Sequence, residues 1–226
     1  MANIDESEVK ACFGEIANEY LRIGAESCNH LQDGSQLSAF LLLGARAVSI
    51  AMNLQFLVHS HSLDTYDAVR RAFLEAYYLQ NEFRLKDSAS KATRWLQGEN
   101  GTWQPDFNKV EQAMLTPGPK VFGPEYGNAS KASHPTHFAC VNSVAVLSNY
   151  LGKNEEKEQF QQALQEYSSD ISAALFRLTW STFASGESFL ALPIDKSKLA
   201  HCVAFHDKFQ ETKKSEMQSR TTKETT

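Results

Sequence analysis

Apolar residues recur at three- and four-residue steps along most of the chain, which is the spacing of one face of an α-helix. In residues 5–31, for example, Val9, Phe13, Ile16 and Tyr20 follow this spacing. Comparable patterns predict further helices at about 36–59, 64–86, 88–98, 105–115, 154–183 and 195–212. The pattern therefore predicts an all-α fold, a bundle of several helices.

Three segments depart from this pattern. The stretch TPGPKVFGP, at about 116–124, carries three prolines and two glycines, which predicts an irregular loop. Residues 138–151 fit either a helix or a strand, and we favour a helix. The last residues, KKSEMQSRTTKETT, have too little apolar surface to fold, so we predict a single helical domain over 1–212 and a disordered tail over 213–226.

Composition narrows the class of protein. Hydrophobic residues make up 42% of the 226 residues, and the formal net charge is −5, so the balance of charge does not support nucleic-acid binding. The four cysteines form no CxxC pair, which is typical of a reducing compartment. The first residues lack the basic start and apolar run of a signal peptide. We therefore expect a cytoplasmic protein.

One segment, residues 37–58, is long and apolar enough to span a membrane. Arg46 lies at its centre, where a charge is costly in lipid, so a buried core helix is the better interpretation. Arg46, Ser49 and Asn53 share one stripe of this helix, which is otherwise apolar nearly all round. We expect no membrane association.

The next helix carries Arg71 and Glu75 at positions i and i+4, where the two side chains can form an ion pair. Because apolar residues lie on both sides of this helix, it is expected to be sandwiched between neighbours. We therefore favour a buried Arg71–Glu75 pair that must be fully hydrogen-bonded, with a structural role equally open.

A line of polar residues occurs in EYGNASKASHPTHF, at 125–138. Tyr126, Ser130 and His134 fall at i, i+4 and i+8, and Pro135 follows at once. Ser130 and His134 could be a nucleophile and its base, but the GxSxG sequence is absent and no acid can be assigned. We expect this stripe to pack against Arg71–Glu75, with Arg46 as a further member of the polar cluster.

Metal and nucleotide motifs are absent from the sequence. His59 and His61, and likewise His134 and His137, lack the glutamate of a helical HExxH zinc site. Neither GxxxxGK[ST] nor GxGxxG occurs. We predict no metal and no cofactor.

The helix RRAFLEAYYL, followed later by SKASHP, resembles a group of all-helical bacterial domains of unknown function over about residues 36–137. The resemblance implies that Arg71 and Glu75 approach Ser130 and His134, and it implies no established activity. The HEPN group of helical domains, which includes metal-independent ribonucleases, is a more distant comparison. Its active site has a histidine four to six residues after an arginine, and no arginine of this chain has one there.

These observations leave two hypotheses of different classes. The first is a binding module, in which the polar cluster receives a small ligand or supports a surface for a protein partner. The alternative is a metal-independent nuclease or other hydrolase, with His134 as general acid–base and Arg71 stabilising an oxyanion or phosphate. In either case helix 36–59 is apolar enough to form a homo-oligomer interface.

Overall fold

A computed structural model describes residues 6–26, 35–59, 63–113 and 154–223. Within these ranges the chain is helical and contains no strand, which confirms the predicted all-α fold. The helices are α1 (Glu6–Glu26), α2 (Gln36–His59), α3 (Leu63–Phe83), α4 (Ala89–Leu96), α5 (Phe107–Ala113), α6 (Asn154–Leu190) and α7 (Ala200–Lys223). Short 3₁₀ turns at Lys86–Ser88 and Lys196–Lys198 precede α4 and α7.

The core of the bundle is aromatic and forms around α2, which packs against α1, α3, α4 and α6. Its largest fully buried rings include those of Phe13, Phe40, Phe73, Tyr78 and Phe183. The Tyr20 ring, for instance, meets the Phe183 ring edge-on with 4.8 Å between centroids. Each such side chain stabilises the fold by about 1.5–3 kcal/mol when fully buried. The three- and four-residue spacing of the apolar positions thus places one helix face in the core, as predicted.

Helix α2 is less completely enclosed than its composition suggests. Arg46, Ser49 and Asn53, the polar stripe seen in the sequence, lie on its exposed side. On its buried side, Gly44 leaves room for the Tyr20 ring, which a β-carbon would overlap. α2 is also the one described helix long and apolar enough to cross a membrane, but more than half of that window is buried. The core helix of a soluble protein passes the same test, so this is weak support for a membrane span.

The C-terminal third is more helical than predicted. α6 continues past Gly186 to Leu190. Gly186 leaves room for the side chain of Leu192, which a β-carbon would overlap. α7 continues to Lys223, through residues 213–223 of the segment predicted to be a disordered tail. The prediction weighed the lack of apolar surface and neglected the many good helix formers in that stretch. It is corrected for those residues.

Two serines that precede helices behave differently. Ser35 caps α2, since the backbone N–H of Ser38 donates to Ser35 Oγ at 3.1 Å. Ser88 precedes α4 but makes no capping hydrogen bond. Its hydroxyl instead accepts from Nζ of Lys109 at 2.9 Å, which ties α5 to the start of α4.

Candidate functional site

Three of the predicted site residues, Tyr126, Ser130 and His134, lie outside the described residues. The same is true of the predicted loop at 116–124 and of residues 138–151. Their proposed contact with α3 therefore stays a prediction.

The Arg71–Glu75 pair is present, with Nε of Arg71 donating to Glu75 Oε1 at 2.9 Å. The side chains are 31% and 26% exposed, so the pair is partly buried and the expected full burial is corrected. Arg46 lies on the exposed side of α2, and no hydrogen bond or ion pair between described residues joins it to Arg71 or Glu75. Within the described part of the chain, these three residues do not form one polar cluster.

A different polar group is buried on the opposite side of α3, where it meets α6. We call Tyr77, Asn81, Arg84 and Thr182 the α3–α6 seam. Nδ2 of Asn81 donates to the carbonyl oxygen of Tyr77 and to Oγ1 of Thr182, both at 2.9 Å. Tyr77 also hydrogen-bonds to Thr182. The amide and hydroxyl groups at the centre of the seam thus bind one another.

Burial raises the pKa of Tyr77 to about 12, although the bond to Thr182 and the charge of Arg84 act in the opposite direction. The phenol therefore stays neutral at physiological pH and serves as a hydrogen-bonding group. It is not a candidate base or nucleophile there.

Arg84 ends the seam, directly after the last turn of α3. It is only 9% exposed. Its Nε is buried without an acceptor, and within the described residues its guanidinium makes no hydrogen bond and no ion pair. Its recorded contact is with the ring of Phe189, whose centroid lies 4.9 Å from Cζ of Arg84. Burial lowers the pKa of Arg84, yet an arginine stays charged at any physiological pH.

The surroundings compensate this buried charge only in part. Tyr77 of α3 contacts Thr182 of α6. Seven residues further along both helices, Arg84 contacts Phe189. α3 and α6 therefore run in the same direction, and their C-terminal ends meet at Arg84. Each helix end stabilises a cation by about 0.3–1 kcal/mol, and a cation–π contact by about 0.5–2 kcal/mol. Desolvating an ion costs several kcal/mol, which is more than these contacts supply. An anion normally accompanies a buried charge, and none does so here among the described residues.

The same helix α6 holds two more buried polar atoms without partners, Oγ of Ser172 and Oγ1 of Thr179. Thr179 lies one turn before Thr182. Buried hydroxyls are nearly always hydrogen-bonded in native proteins. The side of the seam formed by α6 therefore has hydrogen-bonding capacity that the described residues do not use.

Other buried charges of the bundle are paired. The Glu82 carboxylate accepts from Nζ of Lys91 at 2.8 and 3.0 Å and from the backbone N–H of Asp106 at 2.9 Å. Lys91 also donates to the carbonyl oxygen of Gln104 at 2.6 Å. This group attaches the loop before α5 to α3. Its residues are fully engaged with one another, which indicates a structural role.

No cluster in the described ranges has the composition of a metal site with three or more His, Cys, Asp or Glu ligands. Cys12 and Cys202 are free, buried thiols, with Sγ of Cys202 donating to the carbonyl oxygen of Cys12 at 3.3 Å. A hydrogen bond with the Cys12 side chain and burial raise the pKa of Cys202, so it is not a reactive thiolate. Compared with models of protein families, with curated proteins and with solved structures, the chain has no significant match.

Sequence reasoning missed Asn81, Arg84 and Thr182. A usable signal was present in the run YYLQNEFR, at 77–84, in which all eight residues are buried. Aromatic and polar residues there occupy every side of the helix, so neighbours must surround it. What the sequence could not show is which of those polar residues would be left without a partner.

Proposed function

We propose that this protein is a cytoplasmic helical-bundle protein that binds a small anionic ligand at Arg84, without chemistry of its own. One observation carries the proposal: Arg84 is nine-tenths buried, its Nε has no acceptor, and it has no carboxylate partner among the described residues. A carboxylate or phosphate group of a ligand would supply that missing anion through charge-assisted hydrogen bonds.

The position of Arg84 favours a ligand that enters from solvent. The Phe189 ring that covers the guanidinium is 53% exposed, so this end of the seam is at the protein surface. A small displacement of that ring would open one side of the guanidinium. The free Nε would then donate to the ligand, and the Phe189 ring would pack against its apolar part.

The alternative hydrolase hypothesis has less support. It needs Arg71 as a free cation, whereas Arg71 donates to Glu75 at 2.9 Å, which neutralises its charge locally. The general acid–base of that hypothesis, His134, is not among the described residues. Binding through Arg84 is therefore the function that we put forward.

The test measures binding of two probes, inorganic phosphate and benzoate, at constant ionic strength. Titrations are followed by calorimetry and by the NMR resonance of the Arg84 Nε–H group. Arg84→Met is compared with Arg94→Met, a matched control in which an exposed arginine is removed. We expect one of the probes to shift the Nε–H resonance, and Arg84→Met to weaken its binding at least about tenfold, because a charge-assisted hydrogen bond is lost.

Two outcomes would overturn the proposal. One is that neither anion shifts the Arg84 resonance. The other is that Arg94→Met weakens binding as much as Arg84→Met does, since binding would then reflect general attraction to positive charge.

A further inference from the structure

The exposed side of α2 has the spacing of a helix-pairing surface. Five exposed residues, Leu42, Arg46, Ser49, Asn53 and Phe56, form what we call the outer stripe of α2. Their steps of four, three, four and three residues are those of a coiled-coil seam. Phe56, at one end, is 69% exposed, which is unusual for a phenylalanine. The stripe is thus apolar at both ends and polar in the middle.

The order of these residues is close to symmetric about Ser49. Leu42 and Phe56 lie seven residues to either side of it. When two such helices pair antiparallel with Ser49 on the two-fold axis, Leu42 of each copy faces Phe56 of the other. The small serine at the crossing point allows the two backbones to approach closely. We propose that the outer stripe of α2 is the interface of a two-fold dimer of this chain.

Hydrogen bonding selects the antiparallel arrangement. Nδ2 of Asn53 donates to the carbonyl oxygen of Ser49 at 2.9 Å, which leaves Asn53 Oδ1 available as an acceptor. Arg46 has no recorded hydrogen bond or ion pair within the described residues. In the antiparallel pair, Arg46 of one copy faces the exposed Met52 of the other and lies one residue from Asn53, to whose oxygen it donates. The two Arg46 positions are then about 9 Å apart along the axis, at 1.5 Å per residue.

Other arrangements leave these groups in poor contacts. A parallel pair in register places Arg46 against Arg46 of the second copy, and the stripe contains no carboxylate to separate them. A lipid surface would take Leu42 and Phe56 but would desolvate the arginine and the asparagine without partners. A second copy of the chain is the occupant that satisfies both the apolar ends and the polar middle.

The test uses Ser49→Cys. Its background replaces Cys28 and Cys140, the two cysteines other than the buried Cys12 and Cys202, by serine. Because Ser49 is on the proposed axis, a short bismaleimide should join the two cysteines into a covalent dimer. Ser90→Cys, at an exposed position of α4, is the matched control and should stay monomeric on the same treatment. Sedimentation equilibrium of the unmodified protein should show a concentration-dependent dimer.

Charge substitutions test whether the dimer interface is the outer stripe. Phe56→Glu should weaken self-association at least about tenfold, since it removes one large apolar contact at each end of the interface. Leu21→Glu, at a residue of α1 that is 67% exposed, should leave self-association unchanged. Ser49→Arg, which adds a charge on the axis at an exposed position, covers the case in which Phe56→Glu folds poorly.

Three results would overturn the inference. The first is a protein that stays monomeric at the highest attainable concentration. The second is a dimer that survives both Phe56→Glu and Ser49→Arg, which would place its interface elsewhere. The third is a monomer that binds phosphatidylcholine–phosphatidylserine vesicles and loses this binding in Phe56→Glu, which would assign the stripe to a membrane.

Discussion

The bundle contains two corners that treat buried charge in opposite ways. At the first, where α1 meets the segment between α6 and α7, the buried Glu19 accepts from Arg22 and from the backbone N–H of Asp195. Arg22 also donates to the carbonyl oxygen of Pro193. At the second, where α3 meets the end of α6, Arg84 is buried beside Phe189 without a carboxylate among the described residues.

At the first corner the buried charges form a complete hydrogen-bond network that has a structural role. Arg22 lowers the pKa of Glu19 mainly through their hydrogen bond, so the carboxylate remains charged although it is buried. One turn earlier, Glu15 accepts from the backbone N–H groups of His201 and Cys202, at the start of α7. Together, Glu15 and Glu19 fix the beginning of α7 to α1. This explains why charge is buried there without any need for a ligand.

The second corner has no comparable explanation. Arg84 attaches no loop and satisfies no carboxylate of the described residues, and it bears the desolvation cost with small compensation. Buried charges that pair with one another indicate a structural role, whereas an unpaired buried charge indicates a candidate binding site. The comparison predicts different responses when each charge is removed.

The largest effect is expected for Glu19→Ala. The substitution leaves Arg22 without its main acceptor and the backbone N–H of Asp195 without any, so the free energy of unfolding should fall by about 2–3 kcal/mol. Urea denaturation followed by circular dichroism measures this change. Glu26→Gln is the matched control, because Glu26 also accepts from Arg22 but is largely exposed, and it should change stability by less than about 1 kcal/mol. Equal effects of the two substitutions would contradict the distinction between a buried network and a surface ion pair.

Acidification should also lower the stability of the first corner, because it protonates Glu19. The folded-state pKa of Glu19 is lowered from its ordinary value of 4.5, so its stabilising contribution is fully present above about pH 4.5 and is lost as the pH falls through the lowered value. Urea titrations between neutral and acidic pH should therefore show a smaller loss of stability in Glu19→Gln than in the wild type. An identical pH dependence would mean that the carboxylate does not stabilise the fold through its charge.

The two corners also differ in how far the sequence could predict them. The helices could be predicted because Val9, Phe13 and Ile16 repeat at helical spacing, and such a repeat is local. The pairing of Glu19 with Arg22 at i and i+3 is local too, although its burial is not. Arg84 and Phe189 are more than a hundred residues apart in the chain, so their contact depends on how two whole helices pack. No pattern within EFRLKD distinguishes this arginine from one that ends a helix in solvent.

The polar cluster predicted around Arg71 and Glu75 also shows that the sequence predicts spacing better than burial. Arg71 and Glu75 were predicted as a pair from their spacing, and the pair exists. Their burial depended on what covers that side of α3, and they proved partly exposed. Arg46 was grouped with them because it interrupts an apolar helix, yet it lies on the exposed side of α2. Spacing along one helix can be read from sequence, whereas the neighbour that a given face meets cannot.

The smallest effect on stability is expected for Arg84→Met, and it is the most informative of the three. Methionine keeps the length and apolar contacts of the side chain and leaves no carboxylate unpaired, because none pairs with Arg84 within the described residues. The loss of the contact with Phe189 and the relief of desolvation act in opposite directions. The ligand-free variant should therefore unfold within about 1 kcal/mol of the wild type in urea, or be slightly more stable. A loss above about 2 kcal/mol would show instead that Arg84 holds the ends of α3 and α6 together, and its burial would then need no ligand to explain it.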